Sequence, residues 1–332
     1  MIRAGGPGMN NASCRRAWSA LALCCLALVG CGKRDDGSGY TVALLDLEGR
    51  PQVLGHLPTT VFAPRISPDG KTVAFEMDQG PVTGRREPIR IWLASLDDLQ
   101  ERRALPPVGT GRNWAPMWTR DGEALIFLVS SDAEGSDDTL YWRHADGTGE
   151  PERLIEGLSA ESTTPDGRQV SFITLAADRD YDISLLDLGT RETTLVTNRP
   201  RSEQHSSDIS PDGRWIAYSS NETGVHEVWA EPLPATGERI RVTHEGASHP
   251  VWARDGRSLF FDRGGTLFRV PFDVVVKAVG EGEPNREVKV GEPRALPISG
   301  FQQGYRRRQF DLMPDGAHFL MLFVGTPPSP RT

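Results

Sequence analysis

Apolar side chains return at every second position just after six Asp-Gly pairs: Val73 and Phe75, Leu125 and Phe127, Val170 and Phe172, Ile216 and Tyr218, Leu259 and Phe261, Phe319 and Met321. A period of two belongs to a strand with one buried face, because successive side chains of a strand point to opposite sides. A second apolar run follows in the first five units, at Ile91-Trp92-Leu93, Leu140-Tyr141-Trp142, Ile183-Ser184-Leu185, Val228-Trp229 and Leu267-Phe268-Arg269. Shorter runs close the same units at Arg103-Ala104-Leu105, Arg153-Leu154-Ile155, Thr194-Leu195-Val196, Arg241-Val242-Thr243 and Arg294-Ala295-Leu296. Each unit thus reads as strand, turn, strand, loop, strand, turn, strand.

The turns are Ser67-Pro68-Asp69-Gly70, Thr119-Arg120-Asp121-Gly122, Thr164-Pro165-Asp166-Gly167, Ser210-Pro211-Asp212-Gly213, Ala253-Arg254-Asp255-Gly256 and Met313-Pro314-Asp315-Gly316. Their aspartates lie 52, 45, 46, 43 and 60 residues apart. The chemistry is that of a type I turn: Pro presets φ at the second position, Asp tolerates the third, and Gly takes a conformation a side chain would resist. Four short strands repeated at this period are the signature of a propeller blade. The sixth unit has only its first two strands, around Gln309 to Leu312 and His318 to Phe323. The missing outer half is matched at the other end of the chain, by Tyr40 to Leu47 and Pro51 to Leu54. The expectation is an all-β, six-bladed β-propeller of four-stranded antiparallel blades, with the last blade closed by the N-terminal strands. The long fifth unit carries an insert, about Val274 to Lys289, read as a disordered excursion or a partner-binding loop.

Composition narrows the picture. With 332 residues, 38% hydrophobic, the chain can bury a sizeable core, and 35 Gly and 25 Pro suit a turn-rich fold. The formal net charge of -8, without any long basic run, argues against nucleic acid as a partner. Arg3, Arg15 and Arg16 precede an apolar stretch from Ala17 to Val29, of the length of a secretory signal peptide and too short to span a bilayer. It ends in Leu28-Val29-Gly30-Cys31, which resembles the bacterial lipobox, where the chain is cut before a cysteine that receives lipid. The expected organisation is a lipoprotein signal peptide at 1–30, a flexible tether at 31–39 after lipidated Cys31, the propeller at 40–325 and a disordered tail at 326–332. All four cysteines (Cys14, Cys24, Cys25, Cys31) lie at or before the cut, leaving no thiol in the body for a disulfide. A lipid on Cys31 would hold the protein on a membrane of the bacterial envelope, facing the periplasm; Gly32 after it favours the outer membrane.

The pattern Ser-Pro-Asp-Gly-Lys/Arg-x-x-Ala-Phe/Tyr, clearest at 67 to 75 and 210 to 218, resembles the WD40-like repeats of TolB-type six-bladed propellers, over about residues 40 to 325. Units two and five depart from it with Arg in place of Pro. The resemblance specifies the fold far more than the function; the expectation is a membrane-anchored, non-catalytic scaffold, a monomer without cofactors. In such a fold the segment leading into each first strand rims one mouth of the channel. The rim segments here bring polar, aromatic and cationic groups together, either as a partner site or as a merely wet mouth. Arg112, Trp114, His205, His249, Tyr305, Arg306 and Arg308 are the expected partner-binding residues, suited to an acidic or carboxylate-bearing protein or peptide. Strand alternation would put Arg306 and Arg308 on one side and Arg307 on the other.

A second reading places a metal-dependent lyase or lactonase-like hydrolase in the channel around His205 and His249. It follows the oligogalacturonate lyases among TolB-like propellers, but two histidines without a third ligand make a weak metal site. His56, His144, His226, His244 and His318 are read as structural. The acidic run from Asp132 to Asp138 lacks calcium-loop spacing and reads as a solvated hairpin tip. No Gly-x-Ser-x-Gly elbow follows a strand, and no glycine-rich loop carries the lysine of a phosphate cradle. No catalytic residue, metal or cofactor is therefore expected.

Overall fold

The computed structural model describes residues 39–78, 81–82, 85–86, 88–130, 138–175, 180–277, 285–304 and 306–328. They form six antiparallel blades of four strands each, and no helix occurs among them. Blade one is Thr60–Ile66, Thr72–Asp78, Arg90–Ser95 and Arg102–Ala104; blade two is Arg112–Trp118, Ala124–Ser130, Thr139–His144 and Glu152–Glu156. Blade three is Ala160–Thr163, Gln169–Leu175, Tyr181–Asp187 and Thr193–Leu195; blade four is Gln204–Ile209, Trp215–Ser220, Glu227–Pro232 and Ile240–Arg241. Blade five is Ser248–Trp252, Ser258–Arg263, Thr266–Lys277 and Arg294–Ser299. In blade six Phe310–Leu312 and His318–Val324 are followed in the sheet by Tyr40–Asp46 and Pro51–Leu57. Seven residue pairs join the two ends of the chain there, from Tyr40↔Val324 to Asp46↔His318.

The alternation read from the sequence places the core between blades. Six clusters of buried apolar side chains occur among the described residues, each shared by two neighbouring blades. Val73, Phe75 and Met77 of blade one pack against Val42, Leu57, Leu320 and Leu322 of blade six. Leu125 and Phe127 of blade two meet Ile91 and Leu93 of blade one. Between blades five and six, Phe319 stands edge-on to Phe260 at 4.9 Å and is wholly buried. A propeller has no single centre of hydrophobicity, so every blade depends on both its neighbours.

The six turns close as the sequence predicts, the glycine N–H of each donating to the first residue's carbonyl at 2.8–3.0 Å. In four of them the first residue also works through its hydroxyl. Ser67, Thr119, Thr164 and Ser210 each donate to the turn aspartate at 2.6 Å. The same hydroxyls accept the first N–H of the next strand at 2.9–3.0 Å. The bond from Ser67 holds the Asp69 carboxyl below its ordinary range, and that from Thr119 does the same for Asp121. The turns also touch around the ring: a Cβ on Gly213 (φ +71°) would lie 3.1 Å from Pro165 Cδ of the preceding turn, and one on Gly70 would lie 3.4 Å from Pro314 Cδ. Where Arg replaces Pro, its stem fills the same place: a Cβ on Gly167 would meet Arg120 Cβ at 3.2 Å, and one on Gly316 would meet Arg254 Cγ at 3.1 Å.

The insert of blade five departs from the expected loop. The strand Thr266–Lys277 runs on past its sheet and pairs with Asn285–Val290 from Phe272↔Val290 to Lys277↔Asn285. The β-branched run Val274-Val275-Val276 favours this ribbon over an irregular excursion; its turn, 278–284, lies outside the described residues. So do the expected leader and nearly all of the tether (1–38), most of the acidic run at 132–138, Tyr305 and the chain after 328.

Candidate functional site

Four inner strands contain the same irregularity. Ala63, Ala115, Ser206 and His249, each six residues before its turn aspartate, take left-handed φ values of 46°, 50°, 56° and 57°. Such a conformation in a residue with a side chain costs on the order of 1–3 kcal/mol and needs a compensating contact. The bulge aims each N–H at a side chain of the preceding blade. Ala63 N donates to Gln309 Oε1 at 3.0 Å, Ala115 N to Glu76 Oε1 at 2.8 Å, Ser206 N to Glu161 Oε1 at 2.6 Å, and His249 N to Ser219 Oγ at 2.9 Å. These bonds carry polar groups inward to the channel, which is where the candidate site lies.

Arg306, Arg307 and Arg308 do not belong to a strand, so the expected alternation does not apply to them; the first strand of blade six begins only at Phe310. All three line one small cavity, with Ala63, Arg65, Ser159, Glu161 and Ser206. Arg306 reaches across the ring. Its Nε and Nη2 donate to Glu203 at 3.2 and 2.7 Å, its Nη1 donates to Tyr181 Oη at 3.1 Å, and its guanidinium lies 4.4 Å from the Tyr181 ring centre. Arg307 pairs with buried Glu76 of blade one and stands 4.5 Å over the Trp114 ring of blade two. Arg308 donates to Asp311 at 2.9 Å. Arg306 and Arg308, expected to meet an acidic partner, are thus paired within the protein, because three guanidinium groups crowded near the channel need carboxylates of their own.

Behind this bar the cavity holds about 20 Å³, room for roughly one water. Arg65 donates to the carbonyls of Pro64 and Arg308, and burial together with the neighbouring Arg308 pulls its pKa down to about 10. Burial raises the Glu161 carboxyl even though it accepts the N–H groups of Ser206 and Ser207 and the Ser207 hydroxyl at 2.6–2.7 Å. A roomier groove of about 470 Å³ lies on the turn face between blades three and four, lined by Leu185, Val196, Leu233 and Pro234 beside Asp166 and Asp212. None of the expected site residues lines it.

The histidines converge more closely than their spacing suggests. His205 and His249 are buried rather than exposed on a rim, with ring centres 6.0 Å apart. His226, read from sequence as structural, stands 4.9 Å from His205. His249 Nδ1 lies 2.6 Å from Asp262 Oδ1, which makes it the donor and leaves Nε2 as the lone pair. The Ser206 hydroxyl donates to the Arg306 carbonyl at 3.1 Å, so the 3.1 Å contact between His205 Nδ1 and Ser206 Oγ is assigned as donation from the imidazole. Both remaining Nε2 atoms are buried with no hydrogen-bond partner among the described residues. Burial holds His205 well below its ordinary pKa, and His249, His226 and Arg306 push the same way. No group of three or more His, Cys, Asp or Glu suited to hold a metal occurs among the described residues. Arg112 and Trp114 stack at 5.0 Å, both half-buried at the mouth. His226 was missed because it precedes a third strand, and only the curvature of the blade brings it to the first.

Six four-stranded blades round an arginine-barred channel define a six-bladed β-propeller of the kind built from Ser-Pro-Asp-Gly repeats. The TolB beta propeller domain family matches residues 34–230, and the chain belongs to that family. It is 26% identical over 235 residues to the uncharacterized protein Atu1656 of Agrobacterium fabrum, covering 68% of this chain and 74% of that one. Among solved structures it resembles a TolB-like protein of Agrobacterium tumefaciens (TM-score 0.65, 19% identity, 88% of this chain and 100% of the other). It also resembles TolB of Acinetobacter baumannii (TM-score 0.54, 18% identity, 78% and 66%).

Proposed function

We propose that this propeller is a lipid-anchored, non-catalytic scaffold of the bacterial cell envelope, facing the periplasm, that receives a protein or peptide partner at the channel mouth. The observation that carries the reading is the bar of Arg306 and Arg307 over Tyr181 and Trp114. It closes the mouth with partly exposed guanidinium groups paired to Glu203 and Glu76, while the cavity beneath has space for about one water. A surface of that kind suits a partner that docks on the mouth rather than a substrate that enters it. Half-buried Arg112, on the Trp114 ring, is the cation best placed to meet an acidic partner. The Leu28-Val29-Gly30-Cys31 sequence supports the lipid anchor, and kinship with TolB propellers supports the scaffold role.

Two measurements test this on the full chain in its bacterial host. Radiolabelled palmitate should attach to the wild type and not to Cys31→Ala; an unlabelled wild type overturns the anchor. A photo-crosslinking residue at position 112 should capture a discrete partner, and the same residue at position 166 on the turn face should not. Equal capture at both positions, or none at 112, overturns the mouth as the docking site.

A further inference from the structure

His205 is tied to the channel bar by a short relay. Its Nδ1 donates to Ser206 Oγ, and that hydroxyl donates to the carbonyl of Arg306. Arg306 in turn is held across the ring by Glu203 and Tyr181. On its other side, the unpartnered Nε2 of His205 is shut in with two more imidazoles, His226 at 4.9 Å and His249 at 6.0 Å between ring centres. The charged groups around the cluster come from every element packed on it: Glu203 ahead of the inner strand of blade four, Asp262 behind His249 on blade five, and Arg306 from the mouth. The buried, unpartnered Nε2 of His205 is a lone pair able to take a proton.

We propose that the His205–His226–His249 cluster is a pH-sensitive latch, whose protonation releases the Arg306 bar and opens the channel mouth. A proton from solvent can add only at His205 Nε2, because Nδ1 already carries one. The resulting imidazolium has no carboxylate offsetting its charge and feels the Arg306 guanidinium. Two remedies relieve it, and both act on the bar: repulsion drives Arg306 off, or an imidazolium takes Glu203 from it. The sign follows from the surroundings. Burial, His249, His226 and Arg306 all disfavour the charged ring, so the closed state binds this proton less readily than a released state does. Closure is then complete above the ordinary histidine pKa of about 6.5 and is lost as pH falls below it. The device needs no partner, and its failure would leave the docking reading untouched.

Hydrogen exchange of the full chain, corrected for intrinsic rates, tests it at pH 7.5 and 5.5. Exchange at residues 306–308 should rise at least tenfold at the lower pH, while the outer strands stay protected. In His205→Gln, a neutral side chain at both pH values, the rise should vanish. Should that variant fail to fold, nitrogen-15 NMR of the wild-type imidazoles takes its place: His205 Nε2 must gain its proton at the midpoint of the exchange step. Equal exchange at both pH values, a wild-type response in His205→Gln, or a His205 that stays neutral through the step overturns the proposal.

Discussion

A single hydroxyl can decide whether a turn is a hinge or a clamp. Ser210 donates to Asp212 at 2.6 Å and accepts from Trp215 N at 2.9 Å, so one side chain ties the turn to the strand that follows. Ser210→Ala would leave a strand N–H without its side-chain acceptor and a carboxylate without a donor. Urea unfolding should show a loss of about 1–3 kcal/mol. The sequence displayed the Pro, Asp and Gly of these turns plainly, since each has a backbone reason for its place. The first-position hydroxyl was less visible because Ser and Thr recur throughout loops. The left-handed φ of Ala63, Ala115, Ser206 and His249 was not legible at all. Nothing in an alanine announces that it will adopt a glycine's conformation; only the waiting acceptor on the preceding blade explains it.

Strands in this fold are defined by what lies on each side of them. The period-two runs located the second strand of every unit but showed only one of its two buried faces: Val73 looks to blade six, while the intervening Ala74 is core toward blade two. The fourth strands were harder to place, as their residues are largely exposed and carry little pattern, Thr193–Leu195 being exposed throughout. The cost of error is highest inside. Phe319 is fully buried and contacts the rings of Phe260 and Phe310 at 4.9 and 6.1 Å. Phe319→Ala should destabilise the protein by about 3–5 kcal/mol in calorimetry or urea melts, a cavity between two blades being unable to collapse without moving both. Counting back from each turn put Arg112, Trp114, His205 and His249 at the starts of first strands, where they lie, but put Arg306, Arg307 and Arg308 on a strand that begins only at Phe310. Their pairing was hidden, because Glu203, Glu76 and Tyr181 come from three different blades and meet the arginines only once the ring is assembled.

For the whole molecule, the seven pairs between Tyr40–Asp46 and His318–Val324 make the first and last strands members of one sheet. Removing residues 40–57 would strip blade six of two strands and bare the apolar faces of Leu320 and Leu322 that Val42 and Leu57 help to cover. Such a truncation should lose the single cooperative unfolding transition and show a reduced denaturant slope. A truncated chain that melts like the full one would mean that the ring is held elsewhere.

The same sheet also gives the disc a front and a back. Tyr40 and Val324 are paired neighbours on the edge that carries the arginine bar, whereas Asp46 and His318 lie toward the Asp-Gly turns. Both ends of the described propeller thus lie on one side. A surface linked through residue 40 or residue 324 would therefore cover the arginine-barred opening and leave the ring of turns accessible.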